Sequence, residues 1–162
     1  MTTTRRIELP NGNVEYRNEF GELHSPEGHS RVDSAGHPEY RINGLLHSQG
    51  DKPAKIGSVP FVGPSALYYK NGKLHRDGDK PAIIGKEGTR KWYREGNLHR
   101  EGDKPAIITS FGARTWYKNG VPHRDGGKPF FEADNGTKKW YNKYGFITER
   151  DPSTNEDDEY WD

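Results

Sequence analysis

The sequence predicts an all-β chain, an elongated and curved antiparallel sheet of about five to six stacked β-hairpin repeats with no significant helix. Three observations carry this. First, His75, His99 and His123 lie 24 residues apart, each preceded by a tyrosine and a turn glycine and followed by Arg, a Gly-containing acidic turn, Lys and Pro. A fixed period of that length marks a repeat architecture, in which each copy buries its apolar face against its neighbours. Second, Asn43-Gly44, Asn71-Gly72 and Asn119-Gly120 recur at matching places, and Asn-Gly supplies the two positive-φ residues of a type I′ hairpin turn. Third, the runs between turns are rich in Ile, Trp, Tyr and Phe, and none carries an amphipathic helical period of useful length.

The elements follow in order. Residues 1–150 form the repeat domain, with degenerate caps near 7–38 and 132–150. Residues 14–32 keep the tyrosine, Gly21 and the Leu23-His24 pair but lack Lys-Pro-Ala, and residues 39–56 are nearly complete, with Asn43-Gly44, His47 and Pro53. The step from His47 to His75 is 28 residues, which marks an insertion over 55–66. Proline on both sides of Phe61-Val62-Gly63 predicts a rigid protruding loop there. Such a loop either folds back over the sheet or exposes Phe61 as an apolar anchor.

In the central copies the pattern predicts strands over 81–86, 90–95, 105–109, 113–118 and 138–142. Turns are expected at Gly72 and Gly120, and a second set near Gly88, Gly112 and Gly136. Pro81, Pro105 and Pro129 open their runs, where proline does least harm to a ladder. The Gly-Asp-Lys pieces break the second run and act as a bend that curves the sheet. The last copy, 138–150, keeps Trp140, Tyr141 and Arg150 but has Ile147-Thr148 where Leu-His stood.

Leu, Ile, Val and Phe together number 26 of 162 residues, a share usual for disordered chains, yet the net charge is only +1 and there are 4 Trp, 9 Tyr and 6 Phe. A folded chain without one thick core reconciles these. The absence of cysteine excludes a disulfide framework and thiol or zinc-ribbon chemistry. No run has signal-peptide or membrane-span character, so a cytoplasmic protein is expected. Charge is unevenly spread. Residues 1–60 hold 7 Lys+Arg against 8 Asp+Glu, residues 61–150 hold 18 against 10, and the acidic tail, 151–162, holds none against 6. A basic block followed by an acidic stretch points to interaction rather than to fold.

With the 24-residue period, the aromatic pair, the Asn-Gly turn and the His-x-x-Gly bend in view, the chain resembles the membrane occupation and recognition nexus (MORN) repeat. It resembles more closely the variant with Trp-Tyr-x-Asn-Gly-x-x-His-Arg and Gly-Pro-Ala, over roughly residues 14–150. Here Gly-Pro-Ala reads Asp-Lys-Pro-Ala at 79–82 and 103–106, which lengthens the bend. The resemblance implies a hairpin-repeat sheet serving as a binding scaffold, in a variant seen in phage and large DNA virus proteins. It implies no catalytic residue. A phage-encoded protein would act in the host cytoplasm, occupying or inhibiting a host factor such as a defence enzyme.

The residues themselves argue the same way. Equivalent histidines in neighbouring copies lie about 10 Å apart, too far to share one metal ion. His47, His75, His99 and His123, with Gly72 and Gly120, therefore read as repeat architecture. Asp77-Gly78-Asp79 is not a calcium loop, since its third copy, Asp125-Gly126-Gly127, has lost a carboxylate and Arg76 and Lys80 stand beside the first to neutralise it. No catalytic motif is present, and repeats spread residues evenly where an active site must converge them. The expectation is no enzyme, no metal and no cofactor.

Alternation places Arg90, Trp92 and Arg94 on one side of the sheet, followed in step by Arg114, Trp116 and Lys118, then Lys138 and Trp140. Either the cations merely shield the rings, or this stripe, with Phe61, is a partner-binding face. A protein partner is favoured. The alternatives are nucleic acid, with the rings as stacking platforms in a basic groove, and weak attachment to anionic lipid. The acidic stretch 151–162 either stays disordered, as short terminal segments do by default, or lies across the basic face with Trp161 capping the last hairpin; if undocked, its Tyr160-Trp161 end is a candidate motif for a partner.

Overall fold

The computed structural model describes residues 3–141 and 145–149. Every strand pairing among them is antiparallel, and no helix occurs, hence none long and apolar enough to cross a membrane. The strands come in pairs along the chain: β1 (Arg5–Glu8) with β2 (Val14–Arg17), β3 (Arg31–Val32) with β4 (Pro38–Glu39), and β5 (Arg41–Ile42) with β6 (Leu45–Leu46). Next come β7 (Lys55–Val59) with β8 (Gly63–Leu67), β9 (Tyr69–Lys70) with β10 (Lys73–Leu74), and β11 (Ile83–Gly85) with β12 (Arg90–Lys91). Then follow β13 (Tyr93–Arg94) with β14 (Asn97–Leu98), β15 (Ile107–Ile108) with β16 (Arg114–Thr115), and β17 (Tyr117–Lys118) with β18 (Val121–Pro122). The last are β19 (Phe131–Glu132), β20 (Lys138–Tyr141) and β21 (Ile147–Thr148). Nine of these strands make one sheet in the order β21-β20-β19-β16-β15-β12-β11-β8-β7, and the others pair only two by two.

Two turns recur, each for a local reason. The short hairpins turn on Asn43-Gly44, Asn71-Gly72, Glu95-Gly96 and Asn119-Gly120, with φ of 47° to 51° at the first residue and 73° to 87° at the glycine. This conformation aims both N–H groups at the preceding copy. Gly72 donates to the Leu46 carbonyl, Gly96 to Leu74 and Gly120 to Leu98, at 2.9, 2.9 and 2.8 Å. The long-sheet hairpins close through a three-residue turn, as between Gly85 and Thr89 or Thr109 and Ala113, with a positive-φ glycine in each. The same closure joins Leu9 to Asn13 and Asp33 to His37. The three-residue closure thus recurs from the β1–β2 hairpin onward.

The runs expected over 90–95 and 113–118 are each interrupted at the tryptophan. There the chain changes sheets. The Trp92 N–H donates to Ala106 in the next copy at 2.8 Å, while its carbonyl accepts from His99 in its own short hairpin at 3.1 Å. The run expected over 138–142 ends at Tyr141 within the described residues.

The insertion over 55–66 is not a loop. It is the β7–β8 hairpin, with five paired positions where β15–β16 has two. At its tip Phe61 has φ 60° and is fully exposed, while Val62 turns inward to 8% exposure. Val62 packs where a side chain on Gly85 would have to go: a Cβ there would sit 2.6 Å from Val62 Cγ1. The equivalent positions in the next copies are Thr109 and Ala133, so it is the insertion that demands glycine at 85. The core is thin. Ala54, Ala82 and Ala106 have no exposed surface, which accounts for the small residue after three of the Lys-Pro pairs, while Phe130 fills the place after Lys128-Pro129 and is buried too.

Candidate functional site: a cationic sheet face

Register brings Ile84, Arg90, Ile108, Arg114, Glu132 and Lys138 side by side across six strands. Opposed residues in a sheet project from the same face, so aliphatic and cationic side chains alternate from Ile84 to Arg114, and an acid, Glu132, stands between Arg114 and Lys138. Ile84 and Ile108 are half-buried, and Arg90, Arg114 and Lys138 are exposed. Every second strand is about 10 Å away, which sets the spacing of the three cations. Arg114 reaches Glu132 at 3.9 Å. Neither Arg90 nor Lys138 forms an ion pair with another described residue.

A second set of cations borders this row. Trp92 lies two residues from Arg90 and so faces the same way, and Glu132, within ion-pair range of Arg114, accepts a hydrogen bond from Arg124 at 2.8 Å. Arg76, Arg100 and Arg124 lie flat over Tyr68, Trp92 and Trp116, with 3.6, 3.8 and 3.7 Å from guanidinium carbon to ring centre. Each also donates to an aspartate of the preceding copy: Arg76 to Asp51, Arg100 to Asp79 and Arg124 to Asp103. The lysine four residues on joins the same carboxylate, Lys80 at 2.7 Å, Lys104 at 2.8 Å and Lys128 at 2.7 Å. These are three rungs of one acid and two bases. The Arg100 and Lys104 hydrogen bonds hold the Asp79 carboxyl down at about 2, and Arg124 with Lys128 holds Asp103 well below the usual carboxylate range. Six cations against three aspartates leave this border positive. The expectation that Arg76 and Lys80 neutralise their own bend is thereby corrected, since they neutralise the bend before it.

The tryptophans are not an exposed stripe. Trp92, Trp116 and Trp140 are only 6, 5 and 9% exposed, because the arginine eight residues downstream covers Trp92 and Trp116. Arg94 and Lys118 are not in the row either. Beyond each tryptophan the chain enters a short hairpin, where Arg94 pairs with Glu101 and Lys118 with Asp125. The same acids receive histidines: His99 Nε2 lies 3.0 Å from Glu101 and His123 Nε2 2.7 Å from Asp125. His75 and His99 use the other nitrogen as well. Their Nδ1 atoms accept the N–H of Glu95 and Asn119, the turn residues of the next copy, at 3.2 and 3.1 Å. An accepting Nδ1 places the proton on Nε2, where it is donated to the acid. Each such histidine therefore ties two copies together. Between copies lie shallow hollows of about 290 and 380 Å³, around Tyr93 and Tyr117, whose walls are these already neutralised pairs.

Phe61 stands exposed at the tip of β7–β8, and Phe111, which the sequence reading did not single out, is 81% exposed at the β15–β16 turn. Its signal was available, since Glu87 and Asn135 hold the equivalent polar positions. The arginine covers were also passed over, because their partners are eight residues away along a bend and one copy away across it. Comparison with protein-family models, with curated proteins and with solved structures gives no match.

Proposed function

We propose that the chain is a non-enzymatic hairpin-repeat scaffold of MORN-like kind that binds another protein through the face carrying Ile84, Arg90, Ile108, Arg114 and Lys138, with Phe61 at its margin. The observation that carries this reading is the alternation of aliphatic and cationic side chains from Ile84 to Arg114 in one accessible row, with Lys138 beyond Glu132. Apolar contact with Ile84 and Ile108 supplies affinity, and the cations select an acidic partner and speed its approach. A host factor, as the resemblance implies, is the concrete form. Nucleic acid is the second reading, favoured by the surplus of bases over aspartates along the rungs. The burial of Trp92 and Trp116 weighs against it, because stacking platforms must offer a ring face to a base.

The test is capture from nuclease-treated host extract by the wild type, by an Arg90→Glu/Arg114→Glu variant and by Arg94→Ala. A protein retained by the wild type and Arg94→Ala but lost by the double variant supports the face. Equal retention by all three overturns it. A labelled single strand whose affinity falls steeply between about 50 and 200 mM salt would turn the reading toward nucleic acid.

A further inference from the structure

We infer that residues 151–162 of this chain occupy the Lys138–Arg114–Arg90 row in cis and compete there with an external ligand. Direction, reach and charge converge on this. Trp140 is paired with Thr148, and Lys139 Nζ lies 3.7 Å from Glu149. The chain therefore leaves Glu149 antiparallel to β20, heading for Lys138, the first cation of the row.

Reach then fits spacing. Arg114 and Arg90 lie two and four strands beyond Lys138, about 10 and 20 Å away. Residues 156–159 come seven to ten positions after Glu149, a span of about 23 to 33 Å when extended at ~3.3 Å per residue. That stretch reads Glu156-Asp157-Asp158-Glu159, and 151–162 holds six acids and no base. The row offers the complement, two cations with no ion-pair partner among the described residues and one, Arg114, held only at 3.9 Å. Tyr160 and Trp161 follow the acids and are placed to reach Ile84. The rungs are a poorer target, since their arginines are already held by Asp51, Asp79 and Asp103.

The inference shares its face with the proposed function, and its test needs no external protein. The chain has no cysteine, so Asn155→Cys in the full chain accepts a single nitroxide label. Amide signals of Arg90, Ile108 and Arg114 should lose more than half their intensity relative to the reduced label, while those of Arg5–Glu8 stay unchanged. About 0.5 M salt, which shortens electrostatic range to a few Å, should restore them, and so should Arg90→Gln/Arg114→Gln. The Glu156→Gln/Asp157→Asn/Asp158→Asn/Glu159→Gln variant should bind a single strand of about 20 nucleotides, used purely as a probe polyanion, several-fold more tightly at low salt. Intact row signals, or losses that ignore both salt and the arginine substitutions, overturn the inference. Partner capture that fails while the label broadens the row would sink only the proposed function.

Discussion

The aromatic residue at the start of each short hairpin is treated differently in the two ends of the chain. In the repeated block, Tyr68, Trp92 and Trp116 are buried beneath Arg76, Arg100 and Arg124. In the N-terminal third, Ser25 and Ser48 stand in the arginine's place, and Tyr16 and Tyr40 remain half-buried. There the charge gathers instead around a buried acid. Glu39, 2% exposed, gathers Arg31 at 2.7 Å, Arg41 at 3.2 Å and Lys55 at 3.4 Å. Burial pushes its carboxyl up, but the hydrogen bond and charge of Arg31, with Arg41 beside it, more than reverse this and leave it lowered. One backbone plan is thus held by two kinds of electrostatics, a sequestered acid with surplus cations and a series of open rungs that also roof an aromatic ring.

The comparison can be broken most forcefully at the ring. Trp92→Ala should destabilise the chain by about 3–5 kcal/mol, the cost of emptying a buried aromatic site, whereas Tyr40→Ala should cost clearly less. Equal losses in urea melts would show that the arginine roof adds nothing. Because Trp92 is buried, this substitution tests folding, and binding must be tested at Arg90 and Arg114.

Glu39→Gln comes next. Removing the acid that pairs with all three of Arg31, Arg41 and Lys55 should cost about 2–3 kcal/mol, somewhat below the range for breaking a fully buried pair, since the cations keep partial access to water. The exposed counterpart, Asp79→Asn, should cost under about 1 kcal/mol and lose even that at high salt. A salt-insensitive, larger effect at Asp79 would erase the distinction.

Gly85→Ala should cost about 1–3 kcal/mol by overpacking against Val62. Adding Val62→Ala should recover part of that loss, a coupling that a double-mutant cycle reads directly. Additive losses would show that Val62 is not what requires the glycine.

The smallest effect is in acid. Asp79 and Asp103 are lowered by their rungs, so their stabilisation is complete above the unfolded value of about 4 and is lost as pH falls toward 2. Wild type should lose stability over that window more steeply than Asp79→Asn. Parallel curves would mean that the rungs contribute nothing.

Much of this was legible in the sequence. The 24-residue period located the hairpins, and the demand of type I′ geometry for positive φ made Asn43-Gly44, Asn71-Gly72 and Asn119-Gly120 readable as turns. Glu95 in the same conformation was not, because its propensity argues otherwise and only its place in the repeat assigns it. Alternation put Arg90 and Trp92 on one face. It could not tell that Trp92 would be covered, since the cover, Arg100, arrives after a bend. Nor did alternation survive past the tryptophan, where Arg94 joins another hairpin. The two prolines near Phe61 suggested a loop, but the β7–β8 ladder runs through Pro64, opposite Ser58. The acidic stretch 151–162 lies outside the described residues.

The rungs all run one way, from an aspartate to the arginine of the following copy, and they stop where both partners disappear together. Gly127 stands where Asp79 and Asp103 stood. Thr148 lies opposite Trp140 as His123 lies opposite Trp116, so Glu149 takes the arginine's place. A one-way linkage of this kind has no inherent end. Copies could be added or removed in whole 24-residue units without stranding a charge, and the contact is heterologous, of the sort that yields open filaments when nothing closes it. Gly127 and Glu149 at one end and Ser48 at the other act as stoppers on that linkage, limiting the rungs among the described residues to three.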